Sequence, residues 1–264
     1  MNETNGTAEQ GRGRGGVRLS SMMKRANSLA QRGLYDEAIA QVKQAMTICP
    51  REPKCSVQLA NLYRAQNKIG PAIEAMKNAV ALDPSDSSTQ EQLLQTLIEL
   101  GRYDEAINLS RRMLAKFPRN LFARDVLGIA YLQQGKIDES LQVTNELIRL
   151  APSDPAHHFK KAVLLQQKGE IAQAMSAFTR ALDMDPAGDM ADDAREAIAA
   201  LDSYQLRQIL TIAVEDVIFR AKLQLDAESA SMERGFLLSP SGIATLRQID
   251  LESLPGDSQN RYYH

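Results

Sequence analysis

The side chains that most often carry catalysis or bind metals are sparse in this sequence. The three histidines are His157, His158 and His264. The adjacent pair falls at the start of a predicted helix, where neighbouring side chains diverge and cannot reach one ion. Cys49 and Cys55 are separated by five residues, and no second pair of cysteines or histidines completes a zinc site. We therefore predict no metal site, no cofactor and no enzymatic activity.

A glycine-rich stretch, GRGRGG at 11–16, is the one segment with the composition of a phosphate-binding loop. Such a loop follows a strand and opens a helix, and no strand pattern precedes these residues. The first 18 residues also lack the apolar block of a secretory signal. We predict that 1–18 form a disordered N-terminal arm.

The composition is that of a soluble globular protein, with 44% hydrophobic and 24% charged residues and a formal net charge of -2. A charge near zero provides no general attraction to nucleic acid or anionic membranes. The most apolar stretch, 209–219, is far shorter than the roughly 20 residues that span a bilayer. Two cysteines are typical of a reducing compartment. We expect a cytoplasmic protein with neither nucleic acid nor membrane as a partner.

A period of 34 residues organises the chain from Leu19 to Pro186. Three sets of positions share this period, and each set has one physical role. They are prolines (Pro50, Pro84, Pro118, Pro152, Pro186), small residues (Ala38, Ala72, Ala106, Ser140, Ala174) and residues suited to a left-handed turn (Gly33, Asn67, Gly101, Gly135, Gly169).

Each repeat is predicted to fold as two antiparallel helices, A and B, which span 20–31 and 36–48 in the first repeat. Gly33 or its equivalent ends helix A, because glycine, and after it asparagine, adopts the left-handed conformation required there. The small residue lies where the two helices cross closely, and the proline ends helix B. One hairpin cannot bury its apolar face alone, so the repeats must stack.

These positions resemble the tetratricopeptide repeat family, whose repeat has the same length. The fourth repeat carries the family's Leu-Gly pair and following tyrosine as Leu127, Gly128 and Tyr131. The chain has no tryptophan, and the places of the family's early tryptophan hold Met22, Ser56, Gln90, Arg124 and His158. The resemblance implies an all-α fold, a right-handed α-α superhelix, that serves as a scaffold for a protein or peptide partner.

The predicted domain organisation follows from the period. Five repeats occupy 19–186, at 19–52, 53–86, 87–120, 121–154 and 155–188. A capping helix is expected over 189–202, a helical C-terminal appendage over 203–250 and a disordered tail over 251–264.

In the family, successive A helices line a concave groove, and the resemblance assigns its positions here. Asn27, Asn61 and Gln95 form an amide ladder that could pair with the backbone of an extended peptide, because amides both donate and accept. Arg64 is a further groove position. The later repeats are apolar and suited to an amphipathic helix; their groove positions are Phe122, Ile129, Leu132, Phe159 and Val163. The alternative is that some of these side chains only pack between helices.

The segment 219–249 resembles leader segments of bacterial ribosomally made peptides, of the nitrile-hydratase-like and nitrogenase-associated families. The matching residues are Asp216, Phe219, Arg220, Leu223, Asp226, Glu233, Gly235, Phe236, Leu238 and Ser239. The segment departs from a precursor because the terminal DSQNRYYH has no cysteine and one serine. The alternative function is therefore an accessory or precursor-like role in peptide modification. Gly235 is expected to end one helix and Ser239 to cap the next, with Pro240 as its first residue.

Charge is unevenly distributed along the chain. Six basic residues and no acid lie between Gly11 and Arg32, whereas seven acids and one base lie between Asp183 and Asp202. The simplest explanation is that the basic and the acidic segments both lie on solvent-exposed surfaces. Head-to-tail self-association, as a structural scaffold, is the sharper alternative, although salt screens such attraction.

Overall fold

The computed structural model describes the backbone of residues 6–254 and the side chains of residues 17–254. Fourteen helices and no strand occur in that range, which confirms the all-α repeat fold. The chain divides into two compact units, residues 1–134 and 135–264, so that the boundary falls between the two helices of the fourth repeat.

The first unit is a series of helical hairpins. Its helices are α1 (Gly6–Gln31), α2 (Tyr35–Ile48), α3 (Pro53–Ala65), α4 (Ile69–Leu82), α5 (Ser87–Glu99), α6 (Tyr103–Lys116) and α7 (Leu121–Gln133). Within the hairpins α1 packs on α2 and α3 on α4, while α2 and α4 also pack on the helix that follows. Each hairpin therefore covers the apolar face of its neighbour, which is how individually unstable pairs build a core.

The second unit begins with the same pattern and ends differently. Its helices are α8 (Ile137–Leu150), α9 (Pro155–Lys168), α10 (Ile171–Met184), α11 (Ala191–Glu215), α12 (Val217–Leu225), α13 (Ala227–Glu233) and α14 (Pro240–Gln248). Helices α8 to α11 pack consecutively, and α11 also packs on α12 and α14. Helix α11 thus covers the last hairpin with one half and carries the C-terminal helices with the other.

The periodic positions behave as their chemistry predicts. Gly33 has φ of 76° and Asn67 has φ of 57°, so both residues adopt the left-handed conformation that reverses the chain between helices A and B. The small residues are buried at the helix crossings: Ala38, Ala72 and Ala106 have no exposed surface. A larger side chain at these three places would push the paired helices apart.

The N-caps of three A helices, at 86, 120 and 154, follow the same 34-residue period. Asp86 accepts a hydrogen bond from the backbone N–H of Ser88 at 3.0 Å, and Asp154 accepts one from Ala156 at 2.9 Å. Between them, Asn120 accepts from Ala123 at 2.7 Å. These caps satisfy backbone donors that the first turn of a helix leaves unpaired.

Polar side chains at the family's tryptophan place contact the preceding proline turn. The Gln90 amide donates to the carbonyl of Pro84 at 2.8 Å. The ring of His158 makes the equivalent hydrogen-bonding contact with the carbonyl of Pro152. In both repeats a polar contact to the backbone therefore stands where the family has a large apolar ring.

The ends of the repeat array differ from the predicted boundaries. Helix α1 begins at Gly6, so residues 6–18 of the predicted disordered arm are helical. A capping helix was predicted to end at position 202, but helix α11 continues through it. The helix continues because no proline or glycine interrupts 191–215. The actual break is at Asp216, whose side chain caps α12. Residues 1–5 and 255–264 lie outside the described residues.

The C-terminal helices build a hydrophobic core of their own. Its members come from the second half of α11 and from α12, α13, α14 and the segments that follow α13 and α14: Ile209, Ala213, Phe219, Leu223, Ala227, Ala230, Leu238, Ile243, Leu246 and Leu251. Leu251 is buried in this core, so the predicted disordered tail begins too early. We call residues 202–254 the C-terminal module.

Two polar side chains of α11 hold the backbone that leads into α14. The Gln205 amide donates to the carbonyl of Leu237 at 2.8 Å, and its carbonyl oxygen accepts from the Leu237 N–H at 2.9 Å. Asp202 accepts from the N–H of Ser239 at 2.8 Å and from its hydroxyl. Ser239 caps α14 and Gly235 has φ of 82°, which confirms the predicted helix end and helix start.

Candidate partner-binding surface

The predicted amide ladder lies on the A helices of the first three repeats, all in the first unit. Asn27 is on α1, Asn61 on α3 and Gln95 on α5, and all three side chains are exposed. We call these three residues the amide row. Side chains that hydrogen-bond to a peptide must be exposed to solvent, whereas side chains that only pack between helices would be buried.

Neighbouring side chains hold two members of the amide row. Gln58 on α3 donates to the side-chain oxygen of Asn27 on α1. Gln95 donates to Glu99 one turn further along α5, at 3.0 Å. Among the described residues, Asn61 makes no side-chain hydrogen bond, so its amide is available as both donor and acceptor.

The charged member of the surface is an ion pair and not an isolated cation. The Arg64 guanidinium on α3 pairs with the Glu99 carboxylate on α5, and their side chains are 36% and 37% exposed. Pairs with this much exposure contribute little to stability. Glu99 was not predicted as a site residue, because no periodic set contains it. The Glu99 carboxylate gives this surface a hydrogen-bond acceptor beside the donor groups of Arg64.

The apolar predicted positions are divided between the two units. Phe122, Ile129 and Leu132 lie on α7 in the first unit; Phe122 is 37% exposed, and the other two are half-buried. An exposed phenylalanine beside half-buried aliphatic side chains is suited to an apolar partner side chain.

Phe159 and Val163 lie on α9 in the second unit, and both are half-buried. The ring of Phe159 packs edge-on against Phe178 of α10, with centroids 5.4 Å apart and planes at 73°. Phe159 therefore stabilises its own hairpin by packing between helices.

The cysteines and histidines show no arrangement for chemistry. Burial, and then the nearby Glu52 carboxylate, raises the pKa of the Cys55 thiol, so the reactive thiolate is disfavoured. Within residues 17–254, no group of three or more His, Cys, Asp or Glu side chains could hold a metal ion. In the described part of the chain, no helix is long and apolar enough to cross a membrane.

The acidic segment near α11 is only partly available to another molecule. Asp192 is exposed and pairs with Arg195, whereas Asp202 is buried against Ser239. The segment therefore presents fewer free carboxylates than its sequence suggests. Head-to-tail self-association stays a prediction.

Stacked helical hairpins with exposed side chains on their first helices define a helical-repeat protein of the kind that binds other proteins or peptides. A tetratricopeptide repeat model matches residues 11–183. The chain belongs to the tetratricopeptide repeat family. Members of this family are generally interaction modules without enzymatic activity.

Solved structures of the same fold support the assignment. MamA 41-end from Desulfovibrio magneticus RS-1 has 16% identity and a TM-score of 0.54, over 65% of this chain and 97% of that chain. A second MamA structure has 21% identity and a TM-score of 0.55, over 65% and 93%. YrrB, described as a tetratricopeptide repeat protein with an unusual peptide-binding site, has 18% identity and a TM-score of 0.52, over 66% and 90%. No curated protein sequence matches the chain.

Proposed function

We propose that this protein is a scaffold that binds a partner peptide through the amide row and the apolar side chains of α7. The observation that carries the proposal is the exposure of Asn27, Asn61 and Gln95 at one place in three successive repeats. An extended peptide backbone offers donors and acceptors at regular intervals, and amides can pair with both. Phe122 supplies apolar contact area at the α7 end of the first unit.

The test is capture of partners from a lysate by the full chain and by the Phe122→Glu variant, with mass spectrometry. A carboxylate at a desolvated contact costs about 2 kcal/mol or more, so we expect at least about a tenfold loss of the specific partners. Phe117→Glu is the matched control, because Phe117 is 39% exposed but ends a B helix. Equal capture by both variants, with unchanged thermal melting, would refute the proposal.

The C-terminal module supports a second candidate, recognition by a peptide-modifying enzyme. Its residues that resemble leader segments are structural: Asp216, Asp226 and Ser239 cap helices, while Phe219 and Leu223 are core. The outer face of α12 is different, since Val217, Ile218 and Leu225 are 53%, 74% and 88% exposed. Large exposed apolar side chains on one helix face are typical of a docking surface.

The same capture experiment separates the two candidates. Ile218→Glu is expected to remove partners bound by α12 and to leave those bound through Phe122. Val17→Glu is its control, because Val17 on α1 has the same 74% exposure. If Ile218→Glu and Val17→Glu yield the same partners as the unmodified chain, the C-terminal module is not the recognition element.

A further inference from the structure

A cleft of about 500 Å³ lies between α9 and α10 in the second unit, and it contains none of the predicted groove residues. Its floor includes the buried Leu165 and Ala177. Ala172 is a third apolar residue of the lining, and the polar side chains are His158 and Lys161 from α9 and Gln173, Ser176 and Arg180 from α10. All of these polar side chains except His158 and Lys161 are exposed, so the cleft is open to a ligand.

The cleft concentrates positive charge without compensation. Lys161 and Arg180 form no ion pair with any residue whose side chain the structure describes, and no acidic residue lines the cleft. Lys168 of the same helix differs from Lys161, since it pairs with Asp138 and Glu170. Two cations that face one opening and lack an acidic partner are an arrangement that a bound anion would stabilise.

The imidazole of His158 lies close enough to Lys161 and Arg180 for their charges to affect its pKa. Burial lowers the pKa of its imidazole, the Pro152 carbonyl opposes that shift, and the charges of Arg180 and Lys161 and the ring of His157 lower the pKa further. These groups therefore favour the neutral form of the imidazole. An anion between these groups would favour its protonated form and add a donor.

A second cleft, two repeats earlier, provides a comparison within the chain. It has a volume of about 490 Å³ and is lined by Gln90, Leu93 and Arg112 at the places of His158, Lys161 and Arg180. Leucine replaces the lysine there, and the lining residue Lys77 is already paired with Glu74 and Glu105. Arg112 and Lys116 also line this cleft, so its shape and part of its positive charge recur. The cleft in the second unit differs because His158 and Lys161 stand where the other cleft has Gln90 and Leu93.

We propose that the cleft lined by His158, Lys161 and Arg180 binds a phosphate monoester, either free or as a phosphorylated side chain of a peptide. A guanidinium can bind two phosphate oxygens at once, and an ammonium contacts the third as a compact charge. The Ser176 hydroxyl and Gln173 amide are additional donors on the same wall. A carboxylate offers one charge and two oxygens, and so uses fewer of these groups.

The test titrates the full chain with three probes: inorganic phosphate, a phosphoserine peptide, and the same peptide with glutamate in place of phosphoserine. Binding is measured by calorimetry, and the His158 ring is followed by NMR. We expect saturable binding of a phosphate probe, at least about tenfold weaker binding of the glutamate peptide, and a higher pKa of His158 in the complex.

The variant Arg180→Gln with Lys161→Gln is expected to weaken phosphate binding at least about tenfold. Arg112→Gln, at the equivalent place in the other cleft, is expected to leave it unchanged. Tighter binding of the phosphoserine peptide than of inorganic phosphate assigns the ligand to a peptide, and the reverse assigns it to a small phosphate. Absence of saturable binding, equal affinity for the glutamate peptide, or equal loss in both variants would overturn the proposal. None of these results depends on the amide row.

Discussion

Replacing Phe219 with alanine is expected to unfold α12, α13 and α14 while the helical hairpins keep their structure. Phe219 is 2% exposed and belongs to the core of the C-terminal module. Removing a buried phenylalanine side chain costs about 3–5 kcal/mol, which is comparable to the whole stability of a small helical unit. The loss includes a contact between the ring and the Arg234 guanidinium, whose carbon lies 5.1 Å from the ring centroid.

Hydrogen exchange resolved by residue measures this effect, because it reports opening of each segment separately. Amide protection should fall in 217–248 and persist in α9 and α10. Ile218→Ala is the control: its side chain is adjacent to Phe219 and 74% exposed, so its effect should stay within about 0.5 kcal/mol. Equal protection of 217–248 in the two variants would contradict the prediction.

The Asp202→Ala variant is expected to release α14 from α11, with a loss of about 3 kcal/mol. The Asp202 carboxylate is 5% exposed and holds both the N–H and the hydroxyl of Ser239. It also lies against Gly242, where an added Cβ would be 2.6 Å from the carboxylate carbon. Removal of the carboxylate leaves the half-buried N–H of Ser239 without its partner and a gap beside Gly242, so both polar and packing contributions are lost.

Urea denaturation of the full chain, followed by exchange at 240–248, measures the Asp202 effect. Asp192→Ala is the matched control on the same helix, because the Asp192 side chain is 97% exposed and pairs only with Arg195. We expect that control to change stability by less than about 0.5 kcal/mol. A loss of the same size in both variants would show that the buried carboxylate has no special role.

Features that depend on nearby residues were predictable. The left-handed turn at Asn67, the cap at Ser239 and the helix ends before the prolines depend on interactions across a few residues, and the structure confirms them. Regular helices are the most predictable elements for the same reason. The continuity of α11 was the local error, because a boundary was predicted at 202 although no proline or glycine ends the helix there.

The candidate surfaces were predictable only in part. The period placed Asn27, Asn61 and Gln95 at equivalent exposed positions, because equivalent residues of stacked repeats have equivalent surroundings. It could not distinguish Phe122, which is exposed, from Phe159, which packs on Phe178. That difference depends on the identity of the facing side chain in another helix.

The 34-residue period determined the class of fold and the place of each turn. Only tertiary structure decided that Arg64 is paired with Glu99, that Asp202 faces Ser239 37 residues away, and that Lys161 and Arg180 share an open cleft. The physical reason is the separation along the sequence of the residues that interact. Caps and turns are selected by the free energy of a few adjacent residues, whereas these pairs form only after whole helices have packed and set the distances between charges.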